Sequence, residues 1–474
     1  MPESPYTGRF IVRLTRPVAD RIADRARNLA FADLESLQIV ARALDLHGLS
    51  DVFSRYPPHP TMRGVAGVPN SQILQREEQA AASPFPPIHS LTAYFIVDPR
   101  PWNNRALSRR YLADLRRAPE VDLAYEESKL RAPDAWAVDP ADPFVKHQGY
   151  LNAAPEGVGA NTEAVWGAFD GAGVSFADIE SGWNLNHVEL PRAVGNQPIV
   201  NVNDPIDADH GTAVLGIVLA KQDGAGITGI APGARFIGVA SWLVGQSTAL
   251  PDIAGAIYAA ATRLGKGDVL LIEVETAIGY PVEVEDFTFD QIRNASGNDV
   301  IVIEPAGNGT GTVGRDLDKP PTGRPGGPQK SRSLNRNAAS FLDSGAVLVS
   351  ACRSRLTSSG LHRRIGYAGF GSRVDCYAWG ENVATAGGSG LGPSQSKNRS
   401  YTDSFSGTSA ASAIVAGVAI LAQDMAREKL GRDLLPLDMR TLLSNPANGT
   451  GVLRPSGNTM IGVMPDLEAI GTSL

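Results

Sequence analysis

The chain has 474 residues, with 43 Lys+Arg against 50 Asp+Glu for a formal charge of −7, 43% hydrophobic residues, 50 Gly, 33 Pro and 2 Cys. A near-average apolar content with modest charge excludes global disorder and gives no support for a polyanion-binding surface, so nucleic acid is not an expected partner. Two cysteines, Cys352 and Cys376, cannot build a multi-bridge scaffold or a four-thiolate zinc site and are read as buried thiols.

At roughly 100–200 residues per domain, the length suits two or three folding units, or one large domain with a smaller attachment. The opening residues, MPESPYTGRFIVRL, lack the charged segment and apolar stretch of a secretory signal. The longest small-apolar run, residues 410–422, is shorter than the roughly 18–20 residues of a membrane span. The expectation is a soluble protein with no membrane partner, cytoplasmic or exported by a route without a cleavable signal peptide.

Charge divides the chain. Residues 1–134 hold 18 Lys+Arg and 16 Asp+Glu, leaving 25 and 34 for the rest, so about +2 is followed by −9. The first part opens with a strand at 10–14 and an amphipathic stretch with helical spacing at 18–46. A Pro-rich polar segment at 55–87 reads as a loop or insertion, followed by a strand at 91–97, a basic helix at 105–117 and a strand at 121–125. This is an α+β module of residues 1–134. The Ala-, Pro- and Asp-rich stretch 128–143 suits a linker, centred on 135–145.

Over 146–474 strands alternate with helices. Candidate strands are 174–179, 234–240, 269–274, 300–305 and 346–351, with helices at 212–219 and 253–264 between them. That alternation predicts the α/β class, a doubly wound, mainly parallel sheet covered on both faces. Residues 311–339, rich in Gly, Pro and basic side chains, form a long loop, and no internal repeat is visible.

Three segments each place one reactive side chain among small residues: DIESGWNLNHVEL from Asp178, DADHGTAVLGIVLA from Asp207 and SFSGTSAASAIVAG from Ser404. Ser409 stands at a predicted helix start, where backbone N–H groups point at a developing oxyanion. His210, ahead of an apolar helix, suits a general base. Asp178 and Glu180 end a strand on one face, and either acid can orient an imidazolium. Any one of these is unremarkable, since a Gly-Thr-Ser is most often a helix cap. Together with PAGNG at 305–309 they occur in the order acid, histidine, serine.

That order and wording resemble the subtilisin-like serine peptidases, the subtilase family, over residues 140–474. HGT at 210–212, AGN at 306–308 and GTSAAS at 407–412 are similar to the base, oxyanion and nucleophile segments, with further agreement in GIAPGA at 229–234 and VDCYAWG at 374–380. Ala411 replaces the last glycine of G-x-S-x-G, which disfavours an α/β-hydrolase. The resemblance implies a serine endopeptidase with Ser409 as nucleophile, His210 as base and Asn308 in the oxyanion hole. With His187 five residues beyond Gly182, ungapped register puts Glu180 where the family has aspartate, and Asp178 remains the alternative acid.

Where the family usually shows Ser-Leu-Gly on its substrate strand, this chain has Glu273, Val274 and Glu275; an acid at Glu275 favours basic substrate side chains. No cofactor is required, but the resemblance aligns Gln148, Glu189 and Asp223 with ligands of a structural calcium. The N-terminal module is similar to the inhibitory propeptides of subtilases, or is a permanent regulatory or partner-binding domain; no sequence feature fixes a cleavage point, and the linker 128–143 is the place to look for one. Partners implied are a protein or peptide substrate and an inhibitory N-terminal domain or partner protein. The alternative classes are an inactive subtilisin-like fold used for protein binding and a serine hydrolase or transpeptidase of narrow substrate range.

Overall fold

The computed structural model describes residues 6–26, 36–65, 68–128, 130–131, 144–152, 159–191, 208–223, 226–241, 243–244, 250–321, 332–391, 396–452 and 460–474. In the N-terminal region β1 (Tyr6–Leu14), β2 (Thr61–Arg63), β3 (Tyr94–Val97) and β4 (Val121–Ser128) form an antiparallel sheet in the order β2-β3-β1-β4. Five helices accompany it: α1 (Arg16–Ala26), α2 (Leu37–Ala43), α3 (His47–Ser54), α4 (Asn70–Ala80) and α5 (Arg105–Leu115). The FIVRL segment is apolar at consecutive positions because both faces of its strand are covered, and alternation sends each residue to one of them. Phe10, Val12 and Leu14 pack with Ile22, Val40, Leu49 and Tyr111 of the module's own helices.

Ile11, Tyr94, Ile96 and Tyr125 face the other way, joining Ile73 of α4 and the side chains of Ala254, Tyr258 and Phe287 from the second region. Tyr94 and Phe287 stack with ring centroids 4.4 Å apart. The polar contacts at this seam are specific. The Tyr94 hydroxyl donates to Asp290 at 2.5 Å, and His89 Nδ1 lies 2.9 Å from the same oxygen. The expected loop at 55–87 therefore contains β2 and α4, and α4 packs on a helix of the other region. A two-residue strand, β5 (Leu130–Arg131), follows β4, so the expected linker begins inside a sheet; residues 132–143 lie outside the described residues, as does 322–331 of the expected long loop.

In the second region the strands include β6 (Ser175–Glu180), β7 (Arg235–Ser241), the short pair β8 (Leu243–Val244) and β9 (Leu250–Pro251), β10 (Val269–Ile272), β11 (Glu275–Thr276), β12 (Ile301–Pro305), β13 (Val347–Cys352) and β14 (Cys376–Trp379). Six of them form a sheet in the order β14-β13-β12-β10-β6-β7, parallel at every pair. The helices α6 (Ala208–Leu219) and α9 (Thr408–Leu430) cover one face, while α7 (Ile253–Ala261) and α8 (Asp286–Gly297) cover the other. This is the doubly wound parallel architecture the strand and helix alternation predicts.

Chain order reverses between β10 and β6, which are neighbours in the sheet although β7 lies between them in sequence. Such a switch point opens a crevice at the carboxyl ends of the strands. Phe176 of β6 and Leu271 of β10 point to the α6/α9 layer, whereas Ala177, Ile179, Leu270 and Ile272 point to the α7/α8 layer. By the same alternation Asp178, Glu180 and Glu273 fall on the α6/α9 face.

α9 is longer than the apolar run suggests. Its length and composition would cross a bilayer, but 94% of its most apolar window is buried inside the fold, so it is the core helix of this layer. Ile414, Val415, Val418, Ile420 and Leu421 are fully buried, each contributing about 1.5–3 kcal/mol. Gly407, with φ +98°, precedes the first turn and Gly431, with φ +63°, ends the helix; both conformations favour glycine.

Candidate active site

Glu180 closes β6 at the switch point and is fully buried. Its Oε1 accepts the Ser181 backbone N–H at 2.7 Å and the Ser181 hydroxyl at 3.1 Å, and its Oε2 meets Nδ1 of His210. His210 lies in the first turn of α6, which begins at Ala208, earlier than expected. The ring rests edge-on against Phe405 at 5.2 Å. Gly211 makes the approach possible: a Cβ there would sit 2.4 Å from the Gly182 carbonyl oxygen and 2.5 Å from Glu180 Cγ.

Asp178 lies one strand repeat deeper. Its Oδ2 accepts the Trp183 indole N–H at 2.9 Å, and its Oδ1 is buried with no hydrogen bond. Burial, reinforced by the charge of Glu180, pushes its carboxyl well above the ordinary carboxylate range. Of the two strand acids, Glu180 is the one in contact with the imidazole.

Ser409 is the second residue of α9 and is fully buried. Asn308, just beyond β12, accepts Thr408 N–H at 2.9 Å and the Thr408 hydroxyl at 3.0 Å. A backbone N–H only donates, so the amide atom facing it is Oδ1, and Nδ2 is left as a donor beside the start of α9. Thr408 thus orients the asparagine, a role legible only as the middle letter of Gly-Thr-Ser.

Glu273, Val274 and Glu275 continue from β10 into β11, and all three are fully buried. Val274 joins the α7/α8 core. Glu273 Oε1 lies 2.7 Å from the Ser412 hydroxyl oxygen. Glu275 Oε2 accepts the Asn308 backbone N–H at 2.6 Å, so the acid turns inward to the oxyanion segment. The outer edge of β11 is occupied: β5 pairs with it antiparallel, Arg131 opposite Glu275 and Leu130 opposite Thr276. A strand of the N-terminal region therefore lies on the segment expected to receive a peptide.

The residues aligned with a calcium site fit one poorly. Gln148 spends its amide internally, accepting from Thr228 N–H at 2.9 Å and donating to Thr228 O at 2.8 Å and the Tyr150 hydroxyl at 2.7 Å. Glu189 accepts the Tyr401 hydroxyl, and burial together with the charge of exposed Asp223 pushes its carboxyl up. Among the described residues no group of three His, Cys, Asp or Glu side chains is near enough to hold a metal. His187, whose spacing set the register, holds Ser400 O at 2.8 Å through Nε2.

Comparison with known proteins gives the family. An intracellular serine protease of Paenibacillus polymyxa is 26% identical over 304 residues, covering 61% of this chain and 79% of the relative. Fervidolysin of Fervidobacterium pennivorans is 28% identical over 316 residues, 61% of this chain but only 40% of fervidolysin. The crystal structure of fervidolysin, described as a keratinolytic enzyme related to subtilisin, superposes with a TM-score of 0.59 at 16% identity, covering 100% of this chain and 62% of that one, a likeness of fold. The model of the subtilase family matches residues 171–459, more than half of the chain, and the protein belongs to that family of subtilisin-like serine endopeptidases.

Proposed function

We propose that the chain hydrolyses peptide bonds with Ser409 as nucleophile, His210 as general base and Glu180 as the acid that orients and stabilises the imidazolium. Ser409 Oγ attacks the carbonyl carbon while its proton passes to His210. The C–N bond then breaks as that proton moves to the leaving amine, and water repeats the sequence on the acyl-enzyme. Asn308 Nδ2 and the Ser409 amide stabilise the oxyanion. The observation carrying this reading is the Glu180–His210 contact on the same sheet face as the start of α9. A fluorophosphonate adduct on the wild type, absent from Ser409→Ala, tests it; no adduct on a chain freed of its N-terminal region favours the binding-module alternative.

The N-terminal region acts, in the same proposal, as an inhibitory propeptide. Its β5 pairs with β11, and Ser409 is buried in the full chain. Intact mass is the test: a shortened chain in the wild type but not in Ser409→Ala supports self-removal.

A further inference from the structure

We infer that Glu273 is a positioning residue that holds the nucleophile turn of α9 as a neutral carboxylic acid. This rests on the proposed role of Ser409 and adds to it a residue outside the acid, histidine and serine set. Glu273 N donates to Ile179 O at 2.9 Å, which brings its side chain level with Glu180 on the neighbouring strand. The alternation of β10 aims that side chain at the first turn of α9.

Donor counting assigns the proton. Ser412 Oγ lies 2.7 Å from Glu273 Oε1, 2.8 Å from the Thr408 carbonyl and 3.1 Å from the Ser409 carbonyl. A serine hydroxyl has one proton, and a carbonyl has none. If Ser412 donates to the helix carbonyls, the short contact to Glu273 needs a proton on the carboxyl. If Ser412 donates to a carboxylate, two carbonyl oxygens are left close to Ser412 Oγ with no proton between. The neutral acid supplies a second proton: it donates to Ser412 Oγ, and the serine proton is shared between the Thr408 and Ser409 carbonyls.

The surroundings agree. Glu180 and Asp178 face Glu273 from β6, and Ser409 and Ser412 face it from α9. Glu273 Oε2 and Ser409 Oγ are both buried with no hydrogen bond of full geometry, although Ser409 is near enough to favour the ionised form somewhat. Burial outweighs the contacts of Ser412 and Ser409, both of which favour the ionised form, and pushes the carboxyl well above the ordinary range, with the charges of Glu180 and Asp178 adding to the shift. A carboxylate here would put a second negative charge beside Glu180 and remove the donor that fixes Ser412. The nucleophile turn is then held while Glu273 keeps its proton and loosened as it ionises.

The experiment compares wild type, Glu273→Gln and Glu273→Ala as full chains. The fluorophosphonate labelling rate of Ser409 and the melting temperature are each followed from pH 4 to pH 10. A carboxamide donates and accepts as the neutral acid does, so Glu273→Ala should label at least tenfold slower and Glu273→Gln should recover most of that loss. Glu273→Gln should also lack the alkaline fall of the wild type. A Gln variant that folds yet labels as slowly as Ala overturns the neutral-acid role. In the second arm, a raised folded pKa means that wild-type stability falls relative to Glu273→Gln as pH rises above the ordinary carboxylate range; parallel melting curves overturn the proposal. That arm needs no catalysis, so it decides Glu273 even if the N-terminal region keeps the full-length wild type from labelling; only an unlabelled chain freed of that region would count against the peptidase reading.

Discussion

Shortening the orienting acid separates the two strand-end carboxyls. In Glu180→Asp the carboxylate retreats by about 1.5 Å, one C–C bond. The Glu180–His210 contact is a direct hydrogen bond, so a withdrawal of that size carries the carboxylate out of hydrogen-bond range. The backbone cannot follow, because Glu180 is fixed by its β6–β7 pairing opposite Ser241. A misplacement of about 1 Å costs on the order of 10² in rate, or about 2.7 kcal/mol of transition-state stabilisation. Hydrolysis of a peptide amide by the matured enzyme should therefore fall on the order of 100-fold in kcat, with little change in KM. Asp178→Asn should change kcat less than threefold, since a carboxamide replaces a neutral carboxyl against Trp183. The same variant should gain stability relative to wild type as pH rises above about 4, where a buried acid with a raised folded pKa begins to weaken the native state. Equal losses from Asp178→Asn and Glu180→Gln, or full activity in Glu180→Asp, would refute the assignment.

Asn308→Ala removes the donor that Thr408 aims, and kcat should fall roughly 10²–10³-fold with the melting temperature little changed; a drop below threefold would place Asn308 outside the reaction. Gly211→Ala puts a methyl 2.5 Å from Glu180 Cγ, and its effect should be read as lost fluorophosphonate reactivity greater than its loss of stability. Arg373 is a fully buried cation bound to Glu283 at 2.7 Å and Asp375 at 2.7 Å. Arg373→Ala takes the paired cation from buried Glu283, while Asp375 keeps Arg336 at 2.5 Å, so denaturant unfolding should show a loss of about 3–5 kcal/mol.

Much of the sheet was legible because its strands are continuous apolar runs bounded by glycine and acid, and the reactive residues sit at their ends. α8 carried no such signal. Phe287, Phe289 and Ile292 are buried, but so are Asp290, Gln291 and Asn294, and a helix buried all round has no polar stripe to mark it. β2 and α4 were hidden in a Pro-rich stretch because their apolar partners belong to the other region. β5 is two residues long and exists by pairing with β11, 145 positions away. The network of Arg373 joins residues separated by up to 90 positions, and no local pattern announces it.

Those long-range pairings explain how one crevice holds four buried carboxyls. Asp178 and Glu180 occupy alternate positions of one strand, and Glu273 and Glu275 continue the adjacent one, so sheet alternation aims several acids at a single layer. One imidazole can balance only one of them. The balance of the others is set by geometry: Glu275 accepts the Asn308 N–H, Asp178 is neutralised by burial against Trp183, and the donor count at Ser412 places a proton on Glu273. Glu180 is then the acid left to meet His210, because each neighbouring acid has its own partner or, in the proposal for Glu273, its own proton. Replacing any one of them by an apolar residue should therefore act on the catalytic pair through charge and position together, whereas replacing Asp178 or Glu273 by its amide should spare it.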